Sequence, residues 1–224
     1  MAYTPVQVCN LALAKVGDES AQITSLPASI DSDYSKEANL CFKFYETTLR
    51  EVLAATEWNC ATTRKALALN VATPVFGWEY SLAVPADCAR PLEVTANDGT
   101  DRTFCYRSEW DIEGNNVVSN HNALWMKYIK NMSDLSTADS LFIKTLYTSL
   151  AIKLAYPLTE DRNLVKDLMN ELATDVLPEA RRVNGYTGHE VPTIDSSWLE
   201  ATYSSYSGVP IQRFDLQDNY GLIG

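Results

Sequence analysis

GWEYSLAVPADC, residues 77–88, marks the point where helical periodicity gives way to strand alternation. Trp78, Tyr80, Leu82 and Val84 fall on one side of an extended chain, with Glu79, Ser81 and Ala83 on the other. Gly77 lets the chain turn into that strand. Pro85, lacking an N–H, ends the ladder, and Asp87 can satisfy the turn that follows. The stretch also admits a second reading, in which Asp87-Cys88 is the reactive end of a catalytic loop.

The surroundings decide between the two. Downstream, LEVT, RTFCYR, NNVVS and ALWMKYIK recur at short intervals separated by turns such as NDGT and EGNN. That rhythm predicts a small antiparallel sheet of four to six strands within residues 61–132. Cys88 then needs no chemistry beyond being a small buried side chain.

Upstream the period is helical. Thr4-Pro5 is a helix start, Val6, Cys9, Leu13 and Val16 share a face, and Gly17 is a stop, which predicts a helix over 5–16. Residues 18–32 are polar and turn-rich and read as a loop. A second helix over 33–57 carries Tyr34, Ala38, Cys41, Tyr45, Leu49 and Val52 at helical spacing, with Phe42 and Leu53 widening the stripe. Trp58 is placed to plug the end of the helical core.

Helical periodicity returns after Ser133. Ile143, Leu146, Leu150 and Leu154 define a helix over 136–157 that Pro157 ends, and Thr159, Glu160 and Asp161 start the next. Leu164, Leu168, Leu172 and Val176 carry that helix over 160–184, with a kink at Pro178 and a stop near Asn184-Gly185. The expected fold is α+β. A four-helix bundle-like core (1–60 and 133–184) holds a β-rich insertion (61–132) between its second and third helices, followed by an extended C-terminal arm over 185–224.

The arm has neither period. Glu190, Asp195, Glu200, Asp215 and Asp218 against Arg213 give it a charge of −4, yet Trp198, Tyr203, Tyr206, Phe214 and Tyr220 are many aromatics for a solvated tail. Such residues supply large contact area at low entropy cost, so the arm is expected to order against a neighbour, the alternative being a tail folded back on its own domain.

Composition narrows the function. The 224 residues are 46% hydrophobic and 21% charged, which suits a globular protein. Eighteen basic residues face 29 acidic ones, and a net charge of −11 opposes any grip on a phosphate backbone. The start lacks the basic, apolar pattern of a secretory signal, and SLFIKTLYTSLAIKLAYPL is broken by Lys144 and Lys153, so a soluble protein without a membrane partner is expected. Five scattered cysteines (Cys9, Cys41, Cys60, Cys88, Cys105) with no CxxC, and two solitary histidines (His121, His189), predict reduced thiols and no metal site. GxSxG, GxxxxGK[ST] and GxGxxG are all absent, so no catalytic residue and no cofactor is assigned.

NLALAKVGDESAQITSL (10–26), KEANLCFKFYETTLREVLAATEWNCATTRKAL (36–67) and PVFGWEYSLAVPADCARPLEV (74–94) together resemble the bacteriophage head-to-tail adaptor (connector) family. The nearest type is the tail tubular protein A of short-tailed phages. The resemblance rests on N-x-A-L-x-x-x-G, a long helix ending at Trp58, Arg64-x-x-Leu67, and then Gly77, Trp78, Tyr80, Pro85 and Asp87. A strand ending in Tyr128 and an Ala/Leu-rich helix over 150–158 follow. It covers most of residues 5–184; Pro178 departs from the pattern and the arm matches none of it.

The resemblance implies a structural virion protein without catalysis, assembled in the host bacterial cytoplasm. It would form a homo-oligomeric ring, dodecameric in that family, at the head–tail interface beneath the portal protein. The ring would extend the DNA channel and offer a face to tail nozzle or tube proteins. Double-stranded DNA would pass through its lumen without specific binding. The competing readings are a monomeric host- or partner-binding module and a cysteine-dependent hydrolase built on Cys88.

Overall fold

The computed structural model describes residues 3–17, 22–30, 33–96 and 109–187. The chain runs α1 (Pro5–Val16), α2 (Lys36–Ala55), a 3-10 turn (Asn59–Ala61), β1 (Thr62–Ala66), β2 (Ala68–Leu69), β3 (Tyr80–Ala83) and β4 (Cys88–Ala96). It continues through β5 (Trp110–Glu113), β6 (Asn116–Ser119), β7 (Leu124–Lys130), α3 (Ser140–Thr159), α4 (Arg162–Glu171), a π-helical segment (Leu172–Val176) and α5 (Leu177–Thr187). The fold is α+β.

Local chemistry sets the helix ends. Thr4 and Gln7 form a reciprocal capping box at the start of α1, and Gly17 closes it in the left-handed region at φ +94°. Ser35 caps α2 and Asp139 caps α3. The carboxy end of α2 has no glycine, so its last carbonyls depend on distant partners. The Trp58 indole Nε1 donates to the Val52 carbonyl at 2.8 Å, and Arg90 Nη1 donates to that of Ala54 at 3.2 Å.

α3 is the central helix, with α1, α2 and α4 packed against it. Nine of its twenty residues are buried, as a helix covered on several sides requires. One cluster joins Cys9, Ala12 and Leu13 to Cys41, Leu150 and Leu154. A second joins Leu49, Leu53, Trp58, Phe142 and Leu146 to Ile129 of β7. Trp58 is fully buried, edge-on to Phe142 with ring centroids 5.0 Å apart. Lys15–Glu171, Lys144–Glu179 and Lys153–Glu51 ion pairs tie the helices at their surfaces.

The strands form two antiparallel sheets rather than the single one expected: β1-β7-β4 and β2-β3-β6-β5. The alternation of β7 explains the division. Leu124, Met126 and Tyr128 meet Leu82 and Val117 of the other sheet, while Ile129, on the opposite side, joins the helical core. β7 therefore has two apolar environments, one sheet-facing and one helix-facing.

Several expectations are corrected. β3 begins at Tyr80 rather than Trp78, and β1, β2 and β5 were not expected as strands. α2 ends at Ala55, and Tyr34 and Phe42 are exposed. Tyr34 precedes the cap, and Phe42 is turned about 100° from Cys41, off the buried stripe. Pro157 does not end α3. It sits in the last turn, the helix stops at Glu160 with φ +57°, and Asp161 caps α4.

Pro178, where a kink was expected, lies directly after a π-helical interruption between α4 and α5. The π turn just before it, with the Leu177 N–H on the Leu172 carbonyl, absorbs the missing donor and the ring. That helix also passes Asn184-Gly185 and ends at Thr187. Asn184 instead clamps the α2–β1 connection. It accepts from Asn59 N at 2.9 Å and donates to the Glu57 carbonyl.

Candidate functional site

Between Lys65 and Glu79 the chain has thirteen consecutive residues without a charge, Ala66–Trp78. They span the end of β1, all of β2 and the loop that leads to β3. The base of this loop is fastened. Asn70 Nδ2 donates to Ser81 Oγ at 3.1 Å and to Asn116 Oδ1 at 2.9 Å, and its backbone N–H bonds the Ser81 carbonyl. On the other side Glu79 N donates to Asn120 Oδ1 at 3.2 Å. The tip between these anchors is uncovered: Val71 is fully exposed, Val75 is 97% exposed and Phe76 87%. Three apolar side chains in water within residues 71–76 are a feature that packing within this unit does not explain.

Gly77 turns the chain back at φ +83°, a conformation that L side chains rarely adopt. Trp78 follows, half-buried, and Tyr80 starts β3. The ladder then closes on Val84, whose N–H bonds the Asn115 carbonyl. Pro85 accepts from the Cys88 N–H at 2.9 Å, making a turn that Asp87 reinforces twice. The Asp87 carbonyl accepts from Asn131 N at 2.6 Å, and its carboxylate accepts from Tyr128 Oη at 3.0 Å.

Beside this segment lies a groove of about 700 Å³. Trp78, Pro91, Leu92, Val94, Trp110 and Ile112 supply its apolar lining. Glu57, Glu93, Asp111 and Arg90 also line it, and the Arg90 guanidinium serves the end of α2.

Three of the described thiols, Cys9, Cys60 and Cys88, have their pKa raised, chiefly by burial or a thiol neighbour. Cys88 is half-buried rather than buried, and burial, with the Asp87 charge behind it, pushes its thiol up to about 11. Burial raises Cys60 to about 11 as well. Cys9 hydrogen-bonds Cys41 inside the helical core, and that contact, followed by burial, raises it far above the ordinary thiol range. An attacking cysteine needs the opposite shift. His121 is exposed, and among the described residues no group of three or more His, Cys, Asp and Glu is arranged to hold a metal. Among those residues, no helix is long and apolar enough to cross a membrane.

The residues singled out in the sequence thus serve different places. Trp58 is in the helical core, Arg64 is exposed on β1 opposite Lys127, and Gly77, Trp78, Tyr80, Pro85 and Asp87 shape the loop, the groove and the following turn. The arm residues Trp198, Tyr203, Tyr206, Phe214 and Tyr220, together with His189, the expected strand RTFCYR and Cys105, lie outside the described residues. Sequence reading missed the exposed tip and the groove. The unbroken uncharged run Ala66–Trp78 was the signal available for the first. The groove had none, because β4 and β5 are brought together only by folding.

No protein-family model matches this chain, and no curated protein matches it.

Proposed function

We propose that this chain is a structural subunit of a phage particle, a head-to-tail adaptor that assembles as a ring beneath the portal protein. In this reading the helices form a bundle-like ring wall, the β-rich region is inserted between its second and third helices, and the arm after residue 185 reaches toward a partner. The ring continues the DNA channel and presents its far face to tail nozzle or tube proteins. DNA passes without specific binding, as the excess of acidic residues favours.

One observation carries the proposal. The residues on which the adaptor resemblance rests frame a firmly anchored loop with an exposed apolar tip. A segment of that kind belongs to a contact surface. The raised Cys88 thiol and the engagement of Asp87 by Tyr128 support the same reading over a cysteine-dependent hydrolase.

The test is to mix the purified chain with purified portal rings and image the product by electron microscopy. A second ring stacked coaxially on the portal is the expected result. Portal rings that remain bare at saturating chain concentration would refute the adaptor assignment.

A further inference from the structure

We infer that the groove between β4 and β5 receives an arginine side chain of a partner protein, its guanidinium stacked on Trp78 or Trp110 and met by the carboxylates of Glu57, Glu93 and Asp111. The inference goes beyond the adaptor reading and holds whether or not the chain docks on a portal.

The lining selects a cation. Three carboxylates and one guanidinium, that of Arg90, leave the groove with a net charge of −2. Arg90 does not neutralise its neighbours. Its Nη1 donates to the Ala54 carbonyl at 3.2 Å, and among the described residues Glu57, Glu93 and Asp111 form no ion pair. Lys127 faces Glu93 across the ladder without coming within ion-pair distance. Asp111 accepts from the adjacent Ile112 N–H at 2.7 Å, whereas the Glu57 and Glu93 carboxylates have no hydrogen-bond partner among those residues. Four other glutamates of this chain do pair with a lysine or arginine. The acids around this recess are the ones left for an incoming charge.

The indoles narrow the choice to arginine. Trp78 and Trp110 are both half-buried at the groove, and an indole face attracts a cation. A planar guanidinium can stack on a ring while its N–H fork reaches carboxylates at its edge; the compact lysine ammonium cannot do both as well. An acidic segment would be repelled here, and an apolar one would strip water from the carboxylates without replacing it.

The neighbouring surface indicates that the arginine arrives on a protein. Val75 and Phe76, 97% and 87% exposed, stand directly before Gly77 and Trp78. A free small cation leaves them in water, whereas a partner chain that seats an arginine beside Trp78 can cover them too. An arginine anchor ringed by apolar contacts is a common build for the centre of an interface.

The probe is a capped Gly-Leu-Arg-Leu-Gly peptide, titrated to about 20 mM into the full chain so that weak binding is populated. Nitrogen-15 NMR follows the indole N–H signals, assigned by Trp→Phe replacement. Those of Trp78 and Trp110 should shift saturably. Citrulline in place of arginine, which keeps the shape and removes the charge, should weaken binding about tenfold or more. Glu57→Gln with Glu93→Gln should do the same while keeping the wild-type urea midpoint. Glu46→Gln, paired with Arg50 outside the groove, should bind like wild type. Ethylguanidinium should bind about tenfold more weakly than the peptide, because it brings no apolar neighbours.

Indole signals of Trp78 and Trp110 that stay unmoved up to about 20 mM would overturn the inference. So would equal binding of the arginine and citrulline peptides, or an unimpaired Glu57→Gln, Glu93→Gln variant. Ethylguanidinium that matches the peptide would make this a site for a free cation and remove the protein partner.

Discussion

Replacing Trp58 by alanine tests the packing argument at its strongest point. The side chain is wholly buried, and an indole removes about 150–250 Å² from water on folding. At about 25 cal/mol per Å² that burial is worth roughly 4–6 kcal/mol. The edge-on contact with Phe142 adds about 0.5–1.5 kcal/mol. Partial collapse of the cavity returns some of this, so truncation should destabilise by about 3–5 kcal/mol. For a chain of this length that lowers Tm by roughly 6–20 °C.

Trp58→Phe separates the ring from its donor. It keeps most of the volume but leaves the Val52 carbonyl at the end of α2 without the indole N–H, a loss of about 1–3 kcal/mol. Urea unfolding followed by far-ultraviolet circular dichroism measures both, with Trp125→Ala, a site 38% exposed, as the control expected to stay within about 1 kcal/mol. If Trp58→Ala falls within about 1 kcal/mol of wild type at an unchanged m-value, Trp58 is not the plug that joins α2 to α3, and the argument fails.

Three further outcomes are expected. Burial and the bond to Asp87 raise the Tyr128 phenol from its ordinary value to about 12, so its neutral form is favoured by folding. That stability is fully present below about pH 10 and is lost as pH climbs from there through about 12. Tyr128→Phe should therefore flatten the alkaline limb of a stability–pH curve, and an unchanged limb would show that Tyr128 does not govern it. Gly77→Ala meets no steric neighbour but forces φ +83° on an L residue, which should cost about 1 kcal/mol in urea unfolding; a neutral result would mean that the turn relaxes freely. Ending the chain after Thr187 should preserve the urea midpoint while weakening docking to portal or to another copy, measured by co-sedimentation. Truncated protein that unfolds, or docks normally, refutes a partner-binding arm.

Much of the helical part was legible because its causes are local. Thr4-Pro5 and Gly17 bracket α1 by their own capping chemistry, and the Leu146–Leu150–Leu154 spacing needs only the helical repeat to mark a buried face. Prolines misled for the opposite reason. Whether Pro178 breaks a helix depends on whether the preceding turn can widen to a π turn, and no residue announces that. Trp58 could be recognised as a plug from its position, but its partners Val52 and Phe142 could not all be named without the fold.

The candidate site divides along the same line. The sequence by itself determined that Gly77 turns the chain, that a strand follows it, though two residues later than the alternation from Trp78 suggested, and that Pro85 stops the ladder, because these follow from the backbone freedom of single residues. Only the tertiary structure decided that β7 serves a sheet with one side and a helical core with the other. It also decided that Trp78 and Trp110, thirty-two positions apart, share one groove, and that Val75 and Phe76 remain in water. Apolar side chains go wherever a neighbour can cover them. Whether such a neighbour exists is a property of the assembled surfaces, which no local stretch of sequence contains.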